Sequence, residues 1–254
     1  MGVLTAAAAA ALAYGWFEAG WLRRRLLEVP VVGLPQALEG LRIGHLSDFH
    51  LGPPSRGATA VRGAVAWVRE RRPDLVVVTG DLLSHPRART ELDRLLDGLD
   101  AYVVLGNHDV AVTRDPFSRP AELDGLPATL LVGESATAEL RGQRVQVGGT
   151  APRLGSPQPE PDPAASLRIL LSHYPRLRAP GYHLVLSGHM HGGQIVLPYP
   201  GGRIRFAHLR AALTEGLYRQ GGLTLHVSPG LGTTFVPFRF FARPEVTELV
   251  LQRS

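Results

Sequence analysis

Leu75-Val76-Val77-Val78-Thr79-Gly80-Asp81 is a continuous apolar run that stops on a glycine and a carboxylate. Four consecutive aliphatic residues, three of them β-branched, suit a strand covered on both faces, as in a parallel sheet. The same grammar recurs on either side. Upstream, Arg42-Ile43-Gly44-His45-Leu46-Ser47 alternates into a strand that ends at Asp48-Phe49-His50. Between the two, Val61, Ala64, Val65 and Val68 recur at helical spacing and Pro73 closes the segment. Downstream, a second helix is expected over about 89–99, and Ala101 to Leu105 forms a third strand ending at Gly106-Asn107-His108-Asp109. This β-α-β-α-β succession predicts an α/β fold with polar residues at the carboxyl ends of its strands, where such folds gather ligands.

Further along, Leu130 to Val132, Ala136 to Leu140 and Arg144 to Val147 read as shorter strands, and residues 155–163, with four prolines, as an exposed loop. Leu167 to Leu171 is another buried strand, running into Ser172-His173. His183-Leu184-Val185-Leu186-Ser187 then delivers the chain to Gly188-His189-Met190-His191-Gly192-Gly193-Gln194. Two histidines one residue apart, in a glycine-flanked turn, bring both imidazoles within reach of one point. Taken alone the motif is equally a pair of surface histidines. Gly221-Gly222 between two apolar segments marks a hairpin, and Glu245 to Leu251 a final strand.

The 254 residues are 44% hydrophobic and 19% charged, which describes a globular chain with a sizeable core. There is no cysteine, so disulfides, thiolate metal sites and cysteine nucleophiles are excluded. All 27 basic residues are arginine, and the net charge of +5 favours anionic or phosphate-bearing partners. Arginine in place of lysine also fits a GC-rich or heat-adapted proteome. Asn107 is the sole asparagine, and thermolabile residues are thinned in hot-adapted proteins. Its survival marks it for chemistry that other residues do not supply.

Val3 to Leu22 is nearly uncharged, carries Tyr14, Trp16, Phe17 and Trp21, and leads into Arg23-Arg24-Arg25. About 20 apolar residues can span a bilayer, with aromatics at the interface and arginines on the cytoplasmic flank. Residues 1–28 are accordingly read as an apolar helix serving as a membrane anchor, which places the catalytic domain in the cytoplasm. Glu18 and the alanine content favour the competing reading, a helix packed on a soluble cytoplasmic protein. Residues 29–40 are expected to connect this helix to a domain over 41–254.

Five strand ends thus carry Asp48 with His50, Asp81, Asn107, His173, and His189 with His191. Each could be a helix cap, a turn residue or a core-edge histidine, but independent caps and turns need not all fall at the carboxyl ends of buried strands. Imidazole, carboxylate and amide donors suit Mn, Fe, Zn or Ni better than Ca or Mg. Seven ligands are too many for one tetrahedral ion. Two ions ~3.5–4 Å apart would use them and would stabilise the attacking and leaving oxygens of phosphoryl transfer.

The ordered series Asp48-x-His50, Gly80-Asp81, Gly106-Asn107-His108-Asp109, His173 and Gly188-His189-x-His191 resembles the calcineurin-like metallophosphoesterases over about residues 41–251. With the extended glycine-histidine motif and the apolar amino terminus, it looks most like the bacterial YkuE/YaeI-type branch. The resemblance implies a four-layer α/β/β/α sandwich of two mixed sheets flanked by helices, with two divalent transition metal ions, manganese first among them. It implies one ion on Asp48, His50 and His191, the other on Asn107, His173 and His189, and Asp81 bridging both. It further implies in-line attack on phosphorus by a hydroxide between the ions, His108 contacting the phosphate and serving the leaving oxygen, and Asp109 orienting His108. His183 stands where an aspartate is common in the family, and Met190 where threonine is common.

The family cleaves monoesters, diesters and pyrophosphates. Two features lean towards a lipid-linked phosphodiester or pyrophosphate at a membrane surface: residues 3–22, and Phe235-Val236-Pro237-Phe238-Arg239-Phe240-Phe241, although the latter reads first as an ordinary core strand or dimer contact. The alternatives are a nuclease, against which the scattered arginines argue, or a soluble nucleotide phosphodiesterase, and a catalytically silent metal-binding scaffold. No obligate protein partner is expected.

Overall fold

The computed structural model describes residues 2–110, 122–207, 209 and 211–254. Helix α1 (Gly2–Glu18) leads into strand β1 (Arg23–Val31). The predicted β-α-β-α-β succession follows as β2 (Arg42–Leu46), α2 (Ala58–Arg71), β3 (Leu75–Thr79), α3 (Arg89–Leu96) and β4 (Tyr102–Val104). Next come β5 (Thr129–Leu130), β6 (Ser135–Leu140), β7 (Gln143–Gly149), β8 (Leu167–Leu171) and β9 (Leu184–Ser187). The chain finishes with a small hairpin, β10 (Val196–Tyr199) and β11 (Gly202–Arg205), a second hairpin, β12 (Gly216–Gln220) and β13 (Leu223–Val227), and β14 (Glu245–Arg253).

Two six-stranded mixed sheets result, ordered β1-β14-β2-β3-β4-β5 and β12-β13-β9-β8-β7-β6. Ile43, Val77 and Val104 of the first share one buried cluster with Val147, Ile169, Leu171, Leu184 and Leu186 of the second. On the outer face of the first sheet, Val61, Val65 and Val68 of α2 and Leu92 and Leu96 of α3 pack against Val76, Val78 and Val103. Both helices therefore bury the apolar stripe visible in the sequence. The outer face of the second sheet is covered differently. Among the described residues its cover is irregular chain, with Ala179, Tyr182 and Met190 packed on Leu170, Val185 and Leu225, where the four-layer expectation calls for helices.

The amino terminus departs from expectation. The apolar helix expected over 1–28 ends at Glu18, and residues 29–40 are not a free connector. Arg23–Val31 is an edge strand, parallel to β14 from Arg23↔Glu245 to Val31↔Arg253. Its alternate residues turn inward: Val29 and Val31 are fully buried, and Leu34 and Leu38 continue the same inter-sheet cluster. Pro30 is tolerated because an edge strand has one unpaired side. The arginines read as a membrane flank belong to the sheet as well: Arg23 lies 2.5 Å from the buried Glu245 carboxylate. Residues 2–14 of α1 are exposed, and no described helix is long and apolar enough to cross a membrane.

Candidate metal centre

The parallel strands of both sheets deliver their carboxyl ends to one place. Beyond β2 the chain is laced to the segment beyond β3: the Asp48 N–H donates to the Gly80 carbonyl at 3.0 Å and the His50 N–H to the Asp81 carbonyl at 2.9 Å. That lacing brings Asp48, His50 and Asp81 together. His191, from the turn after β9, completes a group whose ligand atoms all lie within 4.8 Å of one another. Asp81, His173 and His189 form a second such group, so Asp81 belongs to both. Asn107 joins the second, with Oδ1 3.1 Å from His173 Nε2. All seven residues marked in the sequence meet in this cleft between the sheets.

The backbone is bent to achieve it. Asp48, His50, Asp81, His189 and His191 have φ of 51°, 44°, 53°, 72° and 49°, in the left-handed region that non-glycine residues seldom occupy. Such conformations cost about 1–3 kcal/mol each and persist where the surroundings over-determine them. Glycines permit the close approaches. A Cβ on Gly106 would overlap the Asp81 carboxylate, and one on Gly188 would overlap Ser47 Oγ and Asp48 Oδ2.

Hydrogen bonds set which atom each histidine offers. His173 Nδ1 lies 2.8 Å from the Thr79 carbonyl, an acceptor only, so it donates its N–H there and turns Nε2 towards Asp81, 3.3 Å away. His50 Nδ1 lies 3.1 Å from Ser84 Oγ, and its Nε2, 3.4 Å from Asp81 Oδ2, is fully buried with no hydrogen-bond partner. His191 Nε2 lies 3.4 Å from Asp48 Oδ1. An orphaned imidazole nitrogen beside carboxylates, in a set of oxygen and nitrogen donors without thiolate, fits a divalent transition metal ion.

The electrostatics agree. Burial works against the His173 cation, yet the charge and hydrogen bond of Asp81 push its pKa up to about 9. Burial also opposes ionisation of Asp81, and His173 and His50 together hold it well below the usual carboxylate range. Asp48 is pushed up by burial, with the charge of Asp81 adding to it. These are groups competing for positive charge that a cation would supply.

His108 and Asp109 stand beside this cluster. The His108 N–H donates to Asp81 Oδ1 at 2.9 Å, and its ring meets that of His50 edge-on at 4.7 Å between centroids. The Asp109 carboxylate accepts from the backbone N–H groups of Leu82 and Gly106, both at 2.8 Å, joining the ends of β3 and β4. Burial, then the charge of Asp81, push Asp109 up to about 7.

Sequence reasoning passed over several neighbours. Arg239 is fully buried and donates to the carbonyls of Pro229, Gly232 and Ala242, and its Nη1 reaches the His191 carbonyl at 3.3 Å. It pins the turn that carries His191; its one sequence signal was a charge inside an aromatic run. Gln194 ties the same turn to Thr234 in both directions. His183 lies apart from the cluster, against Arg168 Nη2 at 3.1 Å, beside a cavity of about 670 Å³ whose lining includes none of the seven. A second cavity, of about 410 Å³, adjoins the cluster and is lined by Leu154, Tyr174, Pro175, His189, Met190 and Leu213.

Comparison with known proteins gives a matching picture. A family model described as calcineurin-like phosphoesterase matches residues 41–193. The chain is 33% identical over 256 residues to a Danio rerio protein named transmembrane protein with metallophosphoesterase domain, covering 90% of this chain and 57% of that protein. It thus spans little more than half of that relative's length. It is 30% identical over 237 residues to the uncharacterized metallophosphoesterase YkuE of Bacillus subtilis strain 168, covering 87% and 82% of the two chains. It is 28% identical to phosphodiesterase YaeI of Escherichia coli strain K12, over 93% and 89%. With the family's match covering more than half its length, the chain belongs to the calcineurin-like phosphoesterase family.

Proposed function

We propose that the chain is a dinuclear-metal-dependent phosphoesterase that hydrolyses a phosphodiester or pyrophosphate bond at a membrane surface. The observation that carries this reading is the shared carboxylate: Asp81 belongs to both ligand groups, with His50 on one side and His173 on the other. Asp48, His50, His191 and Asp81 would hold one ion, and Asp81, Asn107, His173 and His189 the other. Manganese heads the candidates. Such ions lower the pKa of water and neutralise charge building on phosphate oxygens.

The chain's own residues do the rest. Asn107 gives its ion an oxygen without adding negative charge near an anionic substrate. His108, whose backbone N–H is held on Asp81 and whose ring packs on that of His50, would contact the phosphate and hand a proton to the leaving oxygen. Asp109 acts through the backbone, fixing the turn from Gly106 that presents His108. The apolar cavity beside His189 and Tyr174 favours a substrate with an apolar group near the phosphate, as a lipid-linked ester has. The exposed apolar α1 supports the membrane setting.

Hydrolysis of bis-p-nitrophenyl phosphate with added Mn tests the reading. Wild-type protein should turn it over in a metal-dependent way, and Asp81→Ala should fall to background because both ions lose a ligand. Equal rates for the two proteins would sink the enzyme reading.

A further inference from the structure

A single file of hydrogen bonds runs from Asp48 away from the cleft and into the space between the sheets. Ser47 Oγ lies 2.5 Å from Asp48 Oδ2, and Thr79 Oγ1 lies 2.7 Å from Ser47 Oγ. His45 Nε2 is 2.9 Å from Thr79 Oγ1, and His45 Nδ1 is 2.8 Å from His226 Nδ1. All five side chains are fully buried. The file ends at His226 Nε2, which has no hydrogen-bond partner.

Counting protons gives the file a direction. A carboxylate that binds a metal only accepts, and each hydroxyl has one hydrogen to give. Ser47 must spend its hydrogen on Asp48, although its oxygen also lies 3.3 Å from the Thr79 carbonyl. Thr79 then spends its hydrogen on Ser47. His45 must donate from Nε2, which leaves the Nδ1 lone pair to accept the N–H of His226 Nδ1. The opposite order would set Ser47 Oγ and Asp48 Oδ2 face to face as two acceptors. Burial keeps both rings neutral: it lowers His45 to about 3 and depresses His226 as well.

We infer that His226, His45, Thr79 and Ser47 form a one-directional positioning chain that aims the Asp48 carboxylate by holding a hydroxyl donor on Oδ2. The inference rests on the reading of Asp48 as a metal ligand. The His189 backbone N–H lies 3.1 Å from both Asp48 oxygens; the Ser47 hydroxyl on Oδ2 and His191 Nε2 facing Oδ1 are what distinguish the two sides of the carboxylate. His226 sits on β13 in the second sheet and Asp48 follows β2 in the first. The seating of one sheet on the other is therefore read out as the orientation of a ligand. A neutral chain of this kind supplies its donor without placing a second charge beside the carboxylate.

Long-range ¹H–¹⁵N spectra of the histidine rings in the zinc-loaded full chain test the direction. His45 should carry its proton on Nε2 and His226 on Nδ1; His45 protonated on Nδ1 overturns the inference. Zinc titration calorimetry tests the purpose. Thr79→Val removes the relay hydroxyl at nearly constant shape and should weaken zinc binding about 10–100-fold, while Thr79→Ser should restore it. A folded Thr79→Val with wild-type zinc affinity overturns the positioning role, and the ring spectra decide the matter should that variant not fold. Wild-type protein that takes up zinc but shows the reversed His45 tautomer leaves the metal reading standing. Wild-type protein that takes up none removes that reading, and this inference with it.

Discussion

His45 titrates at about 3 in the folded protein against 6.5 for an ordinary histidine, because burial withholds the water its cation needs. Between those values the unfolded chain binds a proton that the folded chain refuses. Stability must rise with pH across that window and fall as pH drops from 6.5 towards 3. At pH 5 this one residue accounts for about 2 kcal/mol. Urea unfolding of EDTA-treated protein at pH 7.5 and pH 5 checks it: His45→Gln should lose less stability on acidification than wild type, by about that amount. Identical losses would show that His45 is not held neutral. The residue scale is also where the sequence was most and least informative. Imidazoles and carboxylates at strand ends announce themselves, because little else explains a polar residue where a buried run stops. Ser47, Thr79 and His45 do not, since a hydroxyl or a histidine inside a strand looks like part of the strand until its neighbour across the sheet is known.

Glu18 decides how α1 is fastened. Its buried carboxylate accepts the backbone N–H groups of Phe241 at 2.9 Å and Ala242 at 2.7 Å. Tyr14 packs its ring against Phe240 and Phe241, with centroids 6.2 and 5.9 Å away, and Trp16 meets Phe238 at 6.3 Å. Glu18→Ala should strand one buried and one part-buried donor and cost about 2–4 kcal/mol, while Glu18→Gln, which keeps a carbonyl oxygen, should cost less. Urea unfolding measures both, and an unchanged midpoint for Glu18→Ala would mean that the helix is not held there. In the sequence Glu18 counts only as a flaw in an apolar stretch, because its acceptor role depends on a segment more than two hundred residues distant. β1 was illegible for the same reason. Three arginines after an aromatic helix carry the mark of a membrane flank, and nothing local says that a strand lies ready beside them to pair. By contrast β2 could be read from its alternation, and β3, β4, β8 and β9 from stretches that are apolar nearly throughout, as strands covered on both faces are.

At the scale of the molecule, α1 and the loop near its base form one apolar projection. Val3, Leu4, Leu12, Phe235 and Phe241 are all exposed, and Arg56 and Arg243 lie over Trp16 and Trp21 at 4.9 and 3.8 Å. Aromatics and arginines around an apolar tip match the chemistry of an anionic bilayer surface. The full chain should co-sediment with phosphatidylglycerol vesicles, and Leu4→Glu with Leu12→Glu should release it while leaving bis-p-nitrophenyl phosphate hydrolysis intact. Equal sedimentation of both proteins would remove α1 from any membrane role. The order in which the strands lie was beyond the sequence, because pairing between distant strands leaves no periodicity to read. That order places β1 against β14 alone, at the edge of its sheet. On the ribosome this edge strand emerges more than two hundred residues before its partner. At about 5–20 residues per second it waits on the order of tens of seconds with its inward face bare. Throughout that interval α1 is already made and already apolar, so the helix meets the nascent chain's surroundings before the domain that will carry it can close.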